Sequence, residues 1–138
     1  MKKFWVTRIV IDPSAVMAIL NLEPEAKNAD AISSDSVRLM SMGTALELSI
    51  IVRARKEDAG IRELEFFLYK AKIELVNFNE DQLKMARYAF EHYGKGRNPA
   101  SLNFGDCFAY ALSKTYGQPL LFKGNDFSKT DVEVVYRV

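Results

Sequence analysis

Four carboxylates in this chain stand where they could hold a divalent cation: Asp12 in "IVIDPS", Glu47 in "GTALEL", Asp106 in "NFGDCF" and Asp126 in "GNDF". Asp12 directly follows the apolar run Ile9-Val10-Ile11. Asp106 precedes Cys107, Phe108, Ala109, Tyr110, Ala111 and Leu112, the most apolar helical stretch of the chain. Helical phase puts Asp106 on the face of Ala109 and Tyr110, and Glu47 on the face of Ile50 and Ile51, both read as buried. A lone acid on an inward face loses solvation and tends to protonate, and several together repel. A bound divalent cation reverses that sign. Hard cations such as Mg²⁺ or Mn²⁺ take oxygen ligands, often one or two protein carboxylates completed by waters and substrate phosphate. One or two such ions can activate a water and offset charge on the leaving oxygen of a phosphodiester. Taken singly, each acid has a plainer reading. Asp106 and Glu47 favour helix N-termini, worth about 1 kcal/mol each. Asp12 can cap the helix begun by Pro13, and Asp126 suits the turn "GNDF".

The elements that must position these acids follow from periodicity. Residues 9–11 read as a buried strand closed by Pro13, and 15–20 as a short helix. A second helix is expected over 25–34, with Pro24 near its first turn, and a weak strand over 37–40. Residues 45–56 read as a helix with Thr44 as N-cap and Glu47 at the capping-box position. Residues 61–71 are amphipathic, and 73–76 form a strand. Asn79 caps a helix over 80–93, "GKGRNP" is a loop, and Gly117 ends a helix over 105–116. Strands are expected over 120–122 and 132–136. The alternation predicts one domain of the α/β class, a sandwich around a mainly parallel sheet. In such sheets ligands bind beyond the carboxyl ends of the strands, which is where Asp12, Glu47, Asp106 and Asp126 all fall.

Composition narrows the function classes. At 138 residues the chain can bury a sizeable core. A net charge of +1 gives no global attraction to nucleic acid or membrane, so any such binding needs a local patch. One cysteine excludes an intramolecular disulfide and a Cys/His zinc cluster, and fits a reducing cytoplasm. The single histidine, His92 in "FEHYGKG", suits a helix end better than a catalytic triad. The N-terminal apolar run is too short and interrupted for a signal peptide, and no stretch spans a membrane.

Four segments together resemble PIN-domain ribonucleases, and specifically the VapC-type toxins of toxin–antitoxin modules. They are "IVIDPSAVMAIL" (9–20), "MGTALELSIIV" (42–52), "GKGRNPASLNFGDCFAYALSK" (94–114) and "LLFKGNDFSKTDV" (120–132), in family order and with family-like spacing. The third is the most specific. The resemblance implies a PIN-like three-layer α/β/α sandwich and Mg²⁺- or Mn²⁺-dependent endonucleolytic cleavage of RNA. It implies inhibition by a cognate VapB-type antitoxin, and a homodimer. Carried over by position, Asp12 and Asp106 are the metal ligands, with Glu47 and Asp126 completing the catalytic acids. Ser14, Thr44, Asn103 and Asp131 support them. Pro13 stands where Ser or Thr is common and Asn98 where His is common, and neither removes a carboxylate. Residues 1–8 read as a short addition before the first strand.

RNA must also meet cations. Lys95 and Arg97 in the glycine-flanked loop, and Lys123 and Lys129 beside Asp126, are the candidates. Arg53, Arg55 and Lys56 read as a solvated helix end that complements the dipole. Phe104, Phe108 and Tyr110 read as packing, and Cys107 as a small buried hydrophobe. Leu64, Phe67 and Leu68 are expected to be partly exposed where an antitoxin binds. A haloacid-dehalogenase-type phosphatase needs an acid two residues after the first, where Ser14 stands. The alternative in another class is a catalytically silent PIN-like protein-binding module.

Overall fold

The computed structural model describes residues 8–21, 37–96, 99–124 and 127–135. The helix expected over 25–34 lies outside them, as do Arg97, Asn98 and Asp126. Among the described residues four strands form one sheet: β1 Arg8–Ile11, β2 Val37–Ser41, β3 Ile73–Val76 and β4 Leu120–Leu121. Their order is β3-β2-β1-β4, and every pairing is parallel. Parallel neighbours need crossovers, and the crossovers here carry helices: α1 Pro13–Leu20, α2 Met42–Lys70, α3 Glu80–Tyr93 and α4 Phe104–Tyr116.

Alternation along the strands divides the core in two. Ile9, Ile11, Met40 and Leu121 pack with Val16 of α1 and with Leu48, Val52 and Leu64 of α2. Val10, Leu39 and Leu120 turn the other way, onto Ala89 of α3 and Ala109, Tyr110 and Leu112 of α4. The architecture is thus the α/β/α sandwich expected from the sequence.

Three local expectations change. β1 includes Arg8, one residue before the strand expected over 9–11. The strand expected over 132–136 is reduced to a parallel bridge between Val134 and Leu120. It is held by Leu120 N–H to Glu133 O at 2.8 Å and Val135 N–H to Leu120 O at 2.9 Å. With only two residues in β4, a fifth strand has little ladder to extend. The helices expected over 45–56 and 61–71 run together as α2, broken by Glu57 at φ 54°, ψ −138°. That is a strained backbone for a residue with a side chain. Arg53 pairs with Asp58 at 3.0 Å and Lys56 with Glu63 at 3.3 Å across the kink. Both pairs are solvent-exposed.

Candidate active site

Asp12 and Asp106 open helices, whereas Glu47 stands in the second turn of α2. Asp12 follows β1 and caps α1 from an extended backbone. Its Oδ2 accepts from Ser14 N–H at 3.0 Å and from the Ser14 hydroxyl at 2.6 Å. Its Oδ1 is buried and has no partner. The helix cap thus engages one oxygen and leaves the other without a partner. Ser14 does a second job: its Oγ accepts from Lys123 N–H at 2.8 Å. One hydroxyl therefore ties the loop after β4 to the Asp12 carboxylate.

Asp106 sits in the first turn of α4 and closes a capping box. Its N–H donates to Asn103 Oδ1 at 2.9 Å, and its Oδ2 accepts from Asn103 N–H at 3.0 Å. Asn103 thereby fixes the first turn of α4. Asp106 is nonetheless only 8% exposed, on the inward side predicted from helical phase.

Glu47 reaches the same place from α2, although Ile50, expected to share a buried face with it, is 62% exposed because that face of α2 points to solvent. Its Oε1 is buried without a partner, and its carboxylate lies against Gly105, where an added Cβ would overlap it. Thr44, one turn earlier, is fully buried and its Oγ1 also lacks a partner. Thr44 does not cap α2. Ser41 does, its Oγ accepting from Gly43 N–H at 3.1 Å. Ser41 ends β2 in extended backbone, the geometry an N-cap requires, which leaves Thr44 inside the first turn.

The electrostatics follow from this crowding. Burial pushes Asp12 up to about 7, against the pull of the Ser14 hydrogen bonds, and the charges of Asp106 and Glu47 add to the rise. Burial likewise raises Glu47, with the Asp106 charge as second cause. Like charges in a low-dielectric pocket are costly, and a divalent cation offsets them. Unpartnered buried oxygens on Asp12, Glu47 and Thr44 are the hard donors that such a cation accepts. Among the described residues no three acid, histidine or cysteine side chains converge on one point.

The other candidates separate clearly. Asp131 lies along α4, away from its N-terminus, accepting from Tyr110 Oη at 2.6 Å and pairing with Lys114 at 3.1 Å. Lys95 and Lys129 are exposed, and Lys123 is exposed beside Ser14. Lys95 stands at the base of its loop, its N–H bound to Leu102 O at 2.8 Å. Cys107 is buried and its thiol is pushed up to about 11 by burial and by Asp106, which suits an inert hydrophobe. His92 ends α3, stacked on Tyr88 with 3.8 Å between ring centroids. Phe104 is 79% exposed, contrary to the packing role expected of it, because it stands at the first helical position of α4. Leu64 is buried, Phe67 and Leu68 are half-buried as expected, and Phe66 and Tyr69 are exposed.

Sequence reasoning missed Gly43 and Gly105. Their signal was available: a glycine in a first helical turn gives up helix propensity and needs a reason.

A family model for the PIN domain matches residues 9–133. The VapC ribonuclease Mb0640 of Mycobacterium bovis is 48% identical over 92% of this chain and 98% of its own length. The ribonuclease VapC of Mycolicibacterium smegmatis is 49% identical over 93% of this chain and 100% of its own length. Among solved structures, VapC20 of Mycobacterium tuberculosis, described as a Sarcin-Ricin loop cleaving toxin, superposes with a TM-score of 0.74 at 15% identity. It covers 94% of this chain and 99% of its own. VapBC-1 from nontypeable Haemophilus influenzae gives 0.71 at 16% identity, over 94% and 97%. At these identities the structural neighbours bear on the fold alone. The chain belongs to the PIN-domain family, within its VapC branch.

Proposed function

We propose that this protein is the toxin of a toxin–antitoxin module and acts as a metal-dependent endoribonuclease. The observation that carries the reading is the pair of buried, unpartnered carboxylate oxygens, Asp12 Oδ1 and Glu47 Oε1, beside the Asp106 charge. A binding module without turnover has no use for that uncompensated cost. Asp12 and Asp106 would hold the ion, Mg²⁺ or Mn²⁺. Glu47 and Asp126 complete the acidic site, and Ser14 and Asn103 fix the carboxylates that the ion meets. When bound, the cation supplies positive charge against the phosphodiester and acidifies a water for in-line attack. No histidine base is needed, and the products carry 5′-phosphate and 3′-hydroxyl ends.

The protein's own task is to present these acids on rigid helix starts and to steer RNA over them. Lys95, Arg97, Lys123 and Lys129 supply phosphate contacts. A VapB-type antitoxin is the cognate inhibitor, consistent with the toxin–antitoxin assemblies among the structural neighbours. The exposed stripe Met42, Leu46 and Ile50 on α2 offers an apolar face for a homodimer. No helix of the described residues is long and apolar enough to cross a membrane.

Purified, antitoxin-free protein should cleave RNA with Mg²⁺ or Mn²⁺, stop in EDTA, and lose more than about 100-fold activity as Asp106→Asn, exceeding the usual cost of losing an outer-shell partner. Equal cleavage by wild type and variant would overturn the assignment.

A further inference from the structure

Glycines at the N-termini of α2 and α4 face one another's side chains. A Cβ built on Gly43 of α2 would overlap the ring of Phe108 of α4. A Cβ built on Gly105 of α4 would overlap the carboxylate of Glu47 of α2. Each helix therefore gives up a side chain to receive one from the other. The spacing is helical in both: Gly43 and Glu47 are four residues apart, Gly105 and Phe108 three, so each pair shares a face. We propose that this reciprocal clasp registers α2 against α4, and that Gly105 is a positioning residue that sets the depth of the Glu47 carboxylate in the site. The metal-binding half of this inference rests on the nuclease reading above.

The two halves of the clasp have unequal freedom. Phe108 is held edge-on between Phe78, at 4.9 Å between centroids, and Phe104, at 5.1 Å. A methyl group at Gly43 must displace the whole ring of Phe108 from this stack. The Glu47 carboxylate is the far end of a flexible chain with no partner at Oε1, so it can swing away. A methyl group at Gly43 thus strikes the fold, whereas one at Gly105 spares the fold and ejects Glu47 from the site.

Thermal unfolding of wild type, Gly105→Ala, Glu47→Ala, Glu47→Asp, and the double variants Gly105→Ala with Glu47→Ala or Glu47→Asp separates these effects, without metal and with Mn²⁺. Without metal, Gly105→Ala should raise the melting temperature more in the Glu47→Ala background than in wild type, because Ala favours the helix once the carboxylate is gone. With Mn²⁺, wild type should be stabilised by mass action. Gly105→Ala should lose most of that shift, and the shorter Glu47→Asp should restore part of it. Additive melting temperatures in the metal-free set overturn the clasp. So does a Gly105→Ala that fails to fold and is not recovered by Glu47→Ala. An unchanged Mn²⁺ shift in Gly105→Ala overturns its positioning role. If wild type itself shows no Mn²⁺ shift, the nuclease reading and the positioning role fall together, and the metal-free cycle still decides the clasp.

Discussion

Asp12 and Asp131 are aspartates of one small protein under opposite conditions. Asp131 meets a hydroxyl and an ammonium: Tyr110 at 2.6 Å and Lys114 at 3.1 Å. Its partial burial works against ionisation, but the hydrogen bonds from Tyr110 and Lys114 and the Lys114 charge outweigh it, and the carboxyl is held below its ordinary range. Asp12 meets one hydroxyl and one amide on a single oxygen, leaves the other bare, and feels two further acids. Its carboxyl is pushed up to about 7. The contrast teaches how to tell an acid that stabilises from an acid that waits for a ligand. The first is balanced by the protein itself, and the second is left for something else to balance.

The widest separation should come from activity. With Asp12 holding the ion as proposed, Asp12→Asn should lower RNA cleavage more than about 100-fold, at least the cost of losing an outer-shell partner. Asp131→Asn should cleave within a few-fold of wild type. Comparable losses in both would erase the distinction between the two acids.

Stability should reverse the ranking. Without metal at neutral pH, Asp12→Asn should stabilise the protein by removing a desolvated carboxyl, at most about 4 kcal/mol for a rise to about 7. Asp131→Ala should destabilise by about 1–3 kcal/mol, because it leaves the buried Tyr110 hydroxyl unsatisfied. Denaturant unfolding in EDTA checks both signs.

The pH profiles should slope in opposite directions. The ordinary carboxylate value of Asp12 is 3.8, and its folded value is about 7. As pH rises through that window the unfolded chain gives up its proton first, so Asp12 makes the metal-free protein progressively less stable. Asp131 is lowered, so its contribution is present above the ordinary carboxylate range and is lost as pH falls below it. Asp12→Asn should flatten the fall between about pH 4 and 7. A profile unchanged by that substitution would remove Asp12 as its source.

The smallest effects belong to exposed cations. Lys123→Ala or Lys129→Ala should weaken RNA binding, and each should reduce the salt slope by about 1 if its ammonium neutralises one phosphate. Lys114→Ala, at a pair whose side chains are 31% and 43% exposed, should cost about 0.2–1 kcal/mol and leave cleavage alone.

Much of this was legible in the residues. Apolar runs such as Ile9-Val10-Ile11 and the amphipathic pattern of 80–93 sufficed for the sandwich, because burial on a strand or helix face is written in the period of the sequence. Asp12 and Asp106 were legible because each opens a helix; Glu47 was legible by type, but it stands in the second turn of α2 rather than the first. Other features depended on neighbours distant in sequence. Asp131 could be grouped with the acidic site by proximity to Asp126 in the chain, and only packing reveals that Tyr110 and Lys114 take up its oxygens. Thr44 and Ser41 compete for one cap, and the end of β2 decides it. The kink at Glu57 joins two helices that periodicity alone separates.

The sequence by itself determined the layers, the parallel sheet and the identity of the acids, since these follow from local period and from residue type. The tertiary structure alone decided which carboxylate oxygens are left without a partner, and that Gly105 makes room for Glu47. Both depend on atoms from helices some sixty residues apart along the chain, brought into contact only when α2 and α4 close over the edge of the sheet.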